Sequence, residues 1–180
     1  MLWPKLARAL FAKPLTDNAP LVPRETIEAL GERLAATSRA RLGRSLAIRE
    51  VDSGSCNGCE LEVNALQNVA YDLERFGLRF VASPKHADVL LVTGPACLNM
   101  REALERVLAS TPEPRWVVAV GDCAVDGGVF KGSYAVENGI AAVLPVDLLI
   151  PGCPPTPAQL LEGLLSLLEA ESAKNRAGWI

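Results

Sequence analysis

Cysteine is the residue type whose spacing in this chain points to chemistry. Four of the five cysteines stand in the frames Cys56-Asn57-Gly58-Cys59, Gly121-Asp122-Cys123-Ala124 and Gly152-Cys153-Pro154-Pro155. A Cys-x-x-Cys loop can offer two sulfurs to one ion or cluster, but by itself it also suits a dithiol redox pair at a helix start. Cys123 and Cys153 tip the balance, because each directly follows an apolar, strand-like run and each is flanked by Gly or Pro. Strands of one parallel sheet bring their carboxyl ends into a single crevice, where residues far apart in sequence meet. Glycine allows the backbone to approach a bulky inorganic body, and the prolines stiffen the Cys153 turn while removing amide donors. Four thiolates are costly to bury together without a cation, so the set implies a bound metal. Spacing favours an iron–sulfur cluster and leaves structural zinc as the alternative. A thiol–disulfide protein would need only Cys56 and Cys59 and would leave Cys123 and Cys153 without a role.

The other reactive residues read more plainly. Cys97 follows Thr93-Gly94-Pro95 at another strand end and can approach the same crevice, but a small hydrophobe is the default, since four sulfurs satisfy a cubane. His86, the one histidine, lies in a turn before a strand and reads as a solvated or backbone-bonded loop residue. Glu60 and Glu62 open a helix, where carboxylates complement the dipole; carrying protons near the cluster is their alternative role. Gly127-Gly128 is not part of a Gly-x-Gly-x-x-Gly or Walker pattern, so no nucleotide site is expected. With one histidine placed away from the cysteine frames, no Ser-His-Asp or Cys-His constellation forms, and the chain is expected to make and break no substrate bonds itself.

The elements that must position the cysteines follow from hydropathy. At 180 residues and 49% hydrophobic content, the chain has one core's worth of apolar residues. Residues 1–42 read as an N-terminal arm and helix, 43–171 as a metal-binding α/β domain and 172–180 as a tail. In the arm, Leu2, Trp3, Leu6, Leu10 and Phe11 recur at helical spacing beside Lys5, Arg8 and Lys13, a basic amphipathic pattern that suits a membrane surface or a partner's groove, with packing on its own domain as the equal alternative. A helix over 24–42 with the stripe Ile27, Leu30 and Leu34 stops at Gly43. Strands are expected over 46–51, 79–82, 88–93, 116–121 and 147–150, with helices from the Cys59 loop to about Phe76, over 99–109 and over 156–171. Val89-Leu90-Leu91-Val92 and Val117-Val118-Ala119-Val120 are continuously apolar, as strands buried on both faces of a parallel sheet are, which makes this a doubly wound α/β pattern. A net charge of -3 and 5% aromatic residues exclude a nucleic-acid surface and favour a protein partner. No apolar run reaches spanning length and Arg8 interrupts the N-terminal one, so a cytoplasmic chain is expected.

Six segments together resemble one family: Gly43-Arg44-Ser45-Leu46, Val51 to Glu60, Ser83 to Asp88, Thr93-Gly94-Pro95, Gly121-Asp122-Cys123-Ala124 and Gly152-Cys153-Pro154-Pro155. It is the small, cluster-bearing subunit shared by membrane-bound NiFe hydrogenases of the formate hydrogenlyase and hydrogenase-4 type and by respiratory complex I. The resemblance spans Leu42 to Leu168 and implies a flavodoxin-like domain with one 4Fe-4S cluster, whose ligands match Cys56, Cys59, Cys123 and Cys153. It implies electron relay beside a NiFe hydrogenase-like large subunit, with a ferredoxin-like iron–sulfur subunit and membrane-arm subunits as further partners. The complex would sit on the inner face of the cell membrane. The complex I branch, which passes electrons to quinone, has its first two ligands adjacent; here Asn57 and Gly58 separate them, as in the hydrogenase branch. Ser55, Asn57 and the amides of the Gly58, Gly121 and Gly152 loops are the expected hydrogen-bond donors to the sulfurs.

Overall fold

The structure is a computed structural model and describes residues 24–177; the amphipathic arm expected over residues 1–22 lies outside them. Five strands form one parallel sheet: β1 (Leu46–Asp52), β2 (Leu78–Phe80), β3 (Val89–Thr93), β4 (Trp116–Val120) and β5 (Leu148–Ile150). Their order, β2-β1-β3-β4-β5, is the flavodoxin-like one expected of a doubly wound sheet. Its direction reverses between β1 and β3, which opens a crevice at their carboxyl ends.

Helices cover both faces. Helix α1 (Arg24–Leu42), α2 (Gly58–Ala65) and α5 (Pro157–Ala177) share one core with Leu46, Ile48, Val89, Leu91, Trp116, Val118 and Val120. The second core takes the alternate strand residues Val51, Leu90, Val92, Val117 and Ala119, with Leu104 of α3 (Arg101–Ser110) and Ala124 of α4 (Asp122–Asp126). Side chains on a strand alternate between faces, so continuous apolar runs are what a doubly covered sheet requires. In α1 the buried positions are Ile27, Gly31, Leu34 and Ser38, one stripe at helical spacing that packs on α5. Gly31 is required there, because a Cβ would collide with the Phe76 ring.

Asp88, 2% exposed, holds the entry to the sheet. Its carboxylate accepts from the Arg44 guanidinium at 2.7 and 2.5 Å and from the Ala47 amide at 2.9 Å. A buried carboxylate persists only with such partners.

The helix expected to reach Phe76 stops at Ala65. The Asn68 side-chain Oδ1 accepts from the Ala70 and Tyr71 amides at 2.8 and 3.1 Å, offering the backbone an alternative to the helix. Asp72 and Gly77 then take left-handed conformations around a short 3-10 turn over Leu73–Phe76. At the other end, α5 runs on to Ala177, past the expected stop near residue 171.

Candidate metal centre

All four ligand-frame cysteines line one cavity of about 90 Å³ at the carboxyl ends of the strands, together with Ser55, Gly94 and Asp122. Cys56 and Cys59 arrive on the loop after β1 and the first turn of α2, Cys123 in the first turn of α4 after β4, and Cys153 on the turn after β5. On this measure a cavity needs only about 10–15 Å³ to admit one water, so the space fits a body of several atoms. Among the described residues, no group of three or more His, Cys, Asp or Glu side chains is placed to hold a single metal ion. The four cysteines share the lining of one space.

Hydrogen bonds tie the four turns in pairs. Ser53, fully buried, donates its hydroxyl to the Thr93 carbonyl at 2.5 Å and accepts from the Ala96 amide at 3.2 Å, joining the loops after β1 and β3. Asp52 Oδ1 accepts from the Gly54 and Ser55 amides at 2.8 and 2.7 Å, which curls the chain toward Cys56. Across the crevice, the Asp122 amide donates to the Gly152 carbonyl at 2.8 Å, and the Gly152 amide donates back to Asp122 Oδ1 at 2.7 Å.

Glycine sits where the walls come closest. Gly121 has φ +89°, and a Cβ there would stand 2.5 Å from Cys59 Sγ. At Gly94, with φ +83°, a Cβ would meet the Ser55 amide nitrogen at 2.8 Å. These are positions where any side chain would push on a sulfur or on the loop that carries one.

Burial and crowding disfavour bare thiolates at two of the four cysteines. Burial pushes the Cys59 thiol up to about 12, with the Glu60 charge and then the Cys123, Cys56 and Cys153 sulfurs adding to it. Cys123 is raised too, first by burial and then by Cys153, while the Val129 amide opposes the shift by donating to its sulfur. Thiols whose protons are held on by burial and by neighbouring sulfurs give them up when a cation binds. A four-thiolate donor set around a glycine-walled space of this size fits an iron–sulfur cluster.

The other residues singled out in the sequence lie around this cavity or away from it. Cys97 does not line the cavity; its Sγ lies 4.0 Å from the Gly54 carbonyl oxygen, and its backbone bridges to Val136. His86 is exposed in a 3-10 turn. Among the expected donors to sulfur, the Gly121 amide bonds the Ile150 carbonyl at 2.8 Å and the Gly152 amide bonds Asp122, so neither is available. Ser55 Oγ accepts from the Asn57 amide at 3.0 Å. The Val129 amide was not foreseen, because it reaches Cys123 only through a left-handed Gly127-Gly128 turn. Glu60 lines a separate cavity of about 220 Å³ with Arg49, Glu50, Asn64 and Gln67, and both its carboxylate oxygens are buried without a hydrogen-bond partner among the described residues. Burial, followed by the Glu60 and Asp52 charges, pushes the Glu50 carboxyl up.

The chain is similar to several known proteins. The chain is 44% identical over 128 residues to a probable membrane-bound hydrogenase subunit, mbhJ, of Pyrococcus furiosus, covering 71% of this chain and 77% of that one. It is 41% identical over 159 residues to formate hydrogenlyase subunit 7 of Escherichia coli, covering 87% of this chain and 62% of that protein's length. A chain of a solved membrane-bound sulfane sulfur reductase, an archaeal respiratory membrane complex, superposes with a TM-score of 0.63 at 32% identity, over 75% of this chain and 74% of that one. The family model for the NADH ubiquinone oxidoreductase 20 kDa subunit matches residues 56–167, from the first cavity cysteine to beyond the last. The protein therefore belongs to that family of oxidoreductase-complex subunits, which complex I shares with the NiFe hydrogenases.

Proposed function

We propose that Cys56, Cys59, Cys123 and Cys153 hold one 4Fe-4S cluster, through which the chain relays electrons to or from a NiFe hydrogenase-like large subunit in a membrane-associated complex. The observation that carries this reading is the convergence of four cysteines from three strand ends on one multi-atom cavity. When bound, such a cluster accepts and returns single electrons. The chain's own residues fix its surroundings. Cys123 is buried and Cys59 half-buried, whereas Cys56 and Cys153 are exposed, so the cavity has one wall in the core and one toward a partner. Leu61 and Val129, beside the cysteine-bearing turns, are 61% and 79% exposed, apolar surface of the kind that a partner subunit covers. The Val129 amide stabilises negative charge on the Cys123 sulfur, one of the levers that set a cluster's potential.

Two features favour the hydrogenase branch: Asn57 and Gly58 stand between the first two cysteines, and the relatives carry the names membrane-bound hydrogenase and formate hydrogenlyase. Among the described residues no helix is long and apolar enough to cross a membrane, which suits a peripheral subunit resting on membrane-arm partners, with a ferredoxin-like subunit as the second electron partner. A second reading, quinone- or sulfur-linked relay without nickel, is favoured by the family model's name and by the sulfane sulfur reductase likeness. Anaerobic capture of the complex with this chain as bait, followed by metal analysis, separates them. Iron and sulfide with nickel support the hydrogenase reading. Iron without nickel supports the second, and zinc without iron overturns electron relay altogether.

A further inference from the structure

We infer that Asp122 is a positioning residue for the cluster: its carboxylate locks the Cys153 turn onto the Cys123 turn and charges the wall between them. This rests on the reading of the four cysteines as cluster ligands. The residue holds both polar groups of Gly152 at once, its amide donating to the Gly152 carbonyl at 2.8 Å and its Oδ1 accepting from the Gly152 amide at 2.7 Å. Each partner immediately precedes a ligand, so this two-bond ring ties Cys123 to Cys153 with one residue of leverage on either side. The sheet's own ladder cannot do this, since β4 and β5 pair only as far as Val120 and Ile150. Glycine is required at residue 152 for this approach, because its φ is +139° and a Cβ would lie 2.7 Å from Pro155 backbone atoms. Asp122 also lines the cavity itself, so its negative charge faces whatever the cysteines hold.

An anion on the wall opposes the addition of an electron to the cluster and lowers its reduction potential. Geometry and charge are separable by two substitutions. Asp122→Asn keeps an oxygen acceptor for the Gly152 amide but removes the charge, whereas Asp122→Ala removes both. The test uses the anaerobically purified complex and reads iron per chain, the EPR line shape of the reduced cluster and its midpoint potential. Asp122→Asn is expected to retain wild-type iron while favouring reduction on the order of tenfold, which is about 59 mV upward for a one-electron couple. Asp122→Ala is expected to lose iron severalfold on desalting and to broaden the EPR signal. An unchanged midpoint in Asp122→Asn, or wild-type iron and line shape in Asp122→Ala, would overturn the inference. Wild-type complex without iron would instead overturn the ligand reading beneath it, before any variant is compared.

Discussion

Replacing Gly121 with alanine adds one methyl group to the wall of the cavity, and its consequences can be worked through from the geometry. The new Cβ would lie 2.5 Å from Cys59 Sγ and 3.5 Å from the Gly152 carbonyl oxygen. Non-bonded heavy atoms settle at about 3.5–4.0 Å, so sulfur and methyl must part by about 1 Å. Metal–ligand distances tolerate only about 0.2 Å, and the required displacement is roughly five times that. Alanine also bears the strain of φ +89°, about 1–3 kcal/mol, which by itself would destabilise the fold without touching the ligands. Gly132→Ala isolates that second effect: its φ is +79° and nothing lies within 4 Å of the added Cβ. Both variants should fold by far-UV circular dichroism, but Gly121→Ala should lose at least about tenfold in iron and acid-labile sulfide retained per chain, equivalent to about 1.4 kcal/mol or more of lost binding. Gly132→Ala should retain both at wild-type levels. Wild-type iron in Gly121→Ala, or equal loss in the two variants, would refute the claim that Gly121 exists to give Cys59 room.

Three further outcomes follow from the same site and its supports. Cys123→Ser should abolish the visible absorption of the anaerobic protein, whereas Cys97→Ser should leave it intact, because Cys97 does not line the cavity. In chain stripped of metal, iodoacetamide at pH 8 should label the exposed Cys56 and Cys153 before Cys59 and Cys123; Cys59 labelling should keep accelerating as pH rises toward 12, since only the thiolate reacts and burial holds its proton on. Equal rates at all positions would contradict that ordering. Asp88→Ala should cost about 2–3 kcal/mol in urea unfolding, mostly from orphaning the buried Ala47 amide, since Arg44 is 53% exposed and its half of the ion pair is screened by water.

The strands and the cysteines were readable from residue type because they obey strong local rules. Val89 to Val92 and Val117 to Val120 alternate between two cores, and that leaves no polar position to obscure the run. The cysteines follow strand ends, and parallel topology alone makes those ends converge. What escaped was whatever depends on a side chain folding back on its own backbone. Asn68 ends α2 well before the apolar pattern fades. The same holds at the site: the pairing of Asp122 with Gly152 joins residues 30 apart in the chain. No local pattern marks such a bond. Glu60 was placed correctly at a helix start, but its burial beside Glu50 depends on β1 and α2 lying against one cavity.

Whether four cysteines hold one redox cluster is decided by iron and acid-labile sulfide per chain in anaerobically purified complex, paired with EPR before and after dithionite. About four irons and about four sulfides attributable to this chain are expected, with a cluster signal that appears on reduction and disappears when Cys56, Cys59, Cys123 or Cys153 is replaced by serine. Zinc in place of iron, or a signal that survives those substitutions, would contradict it.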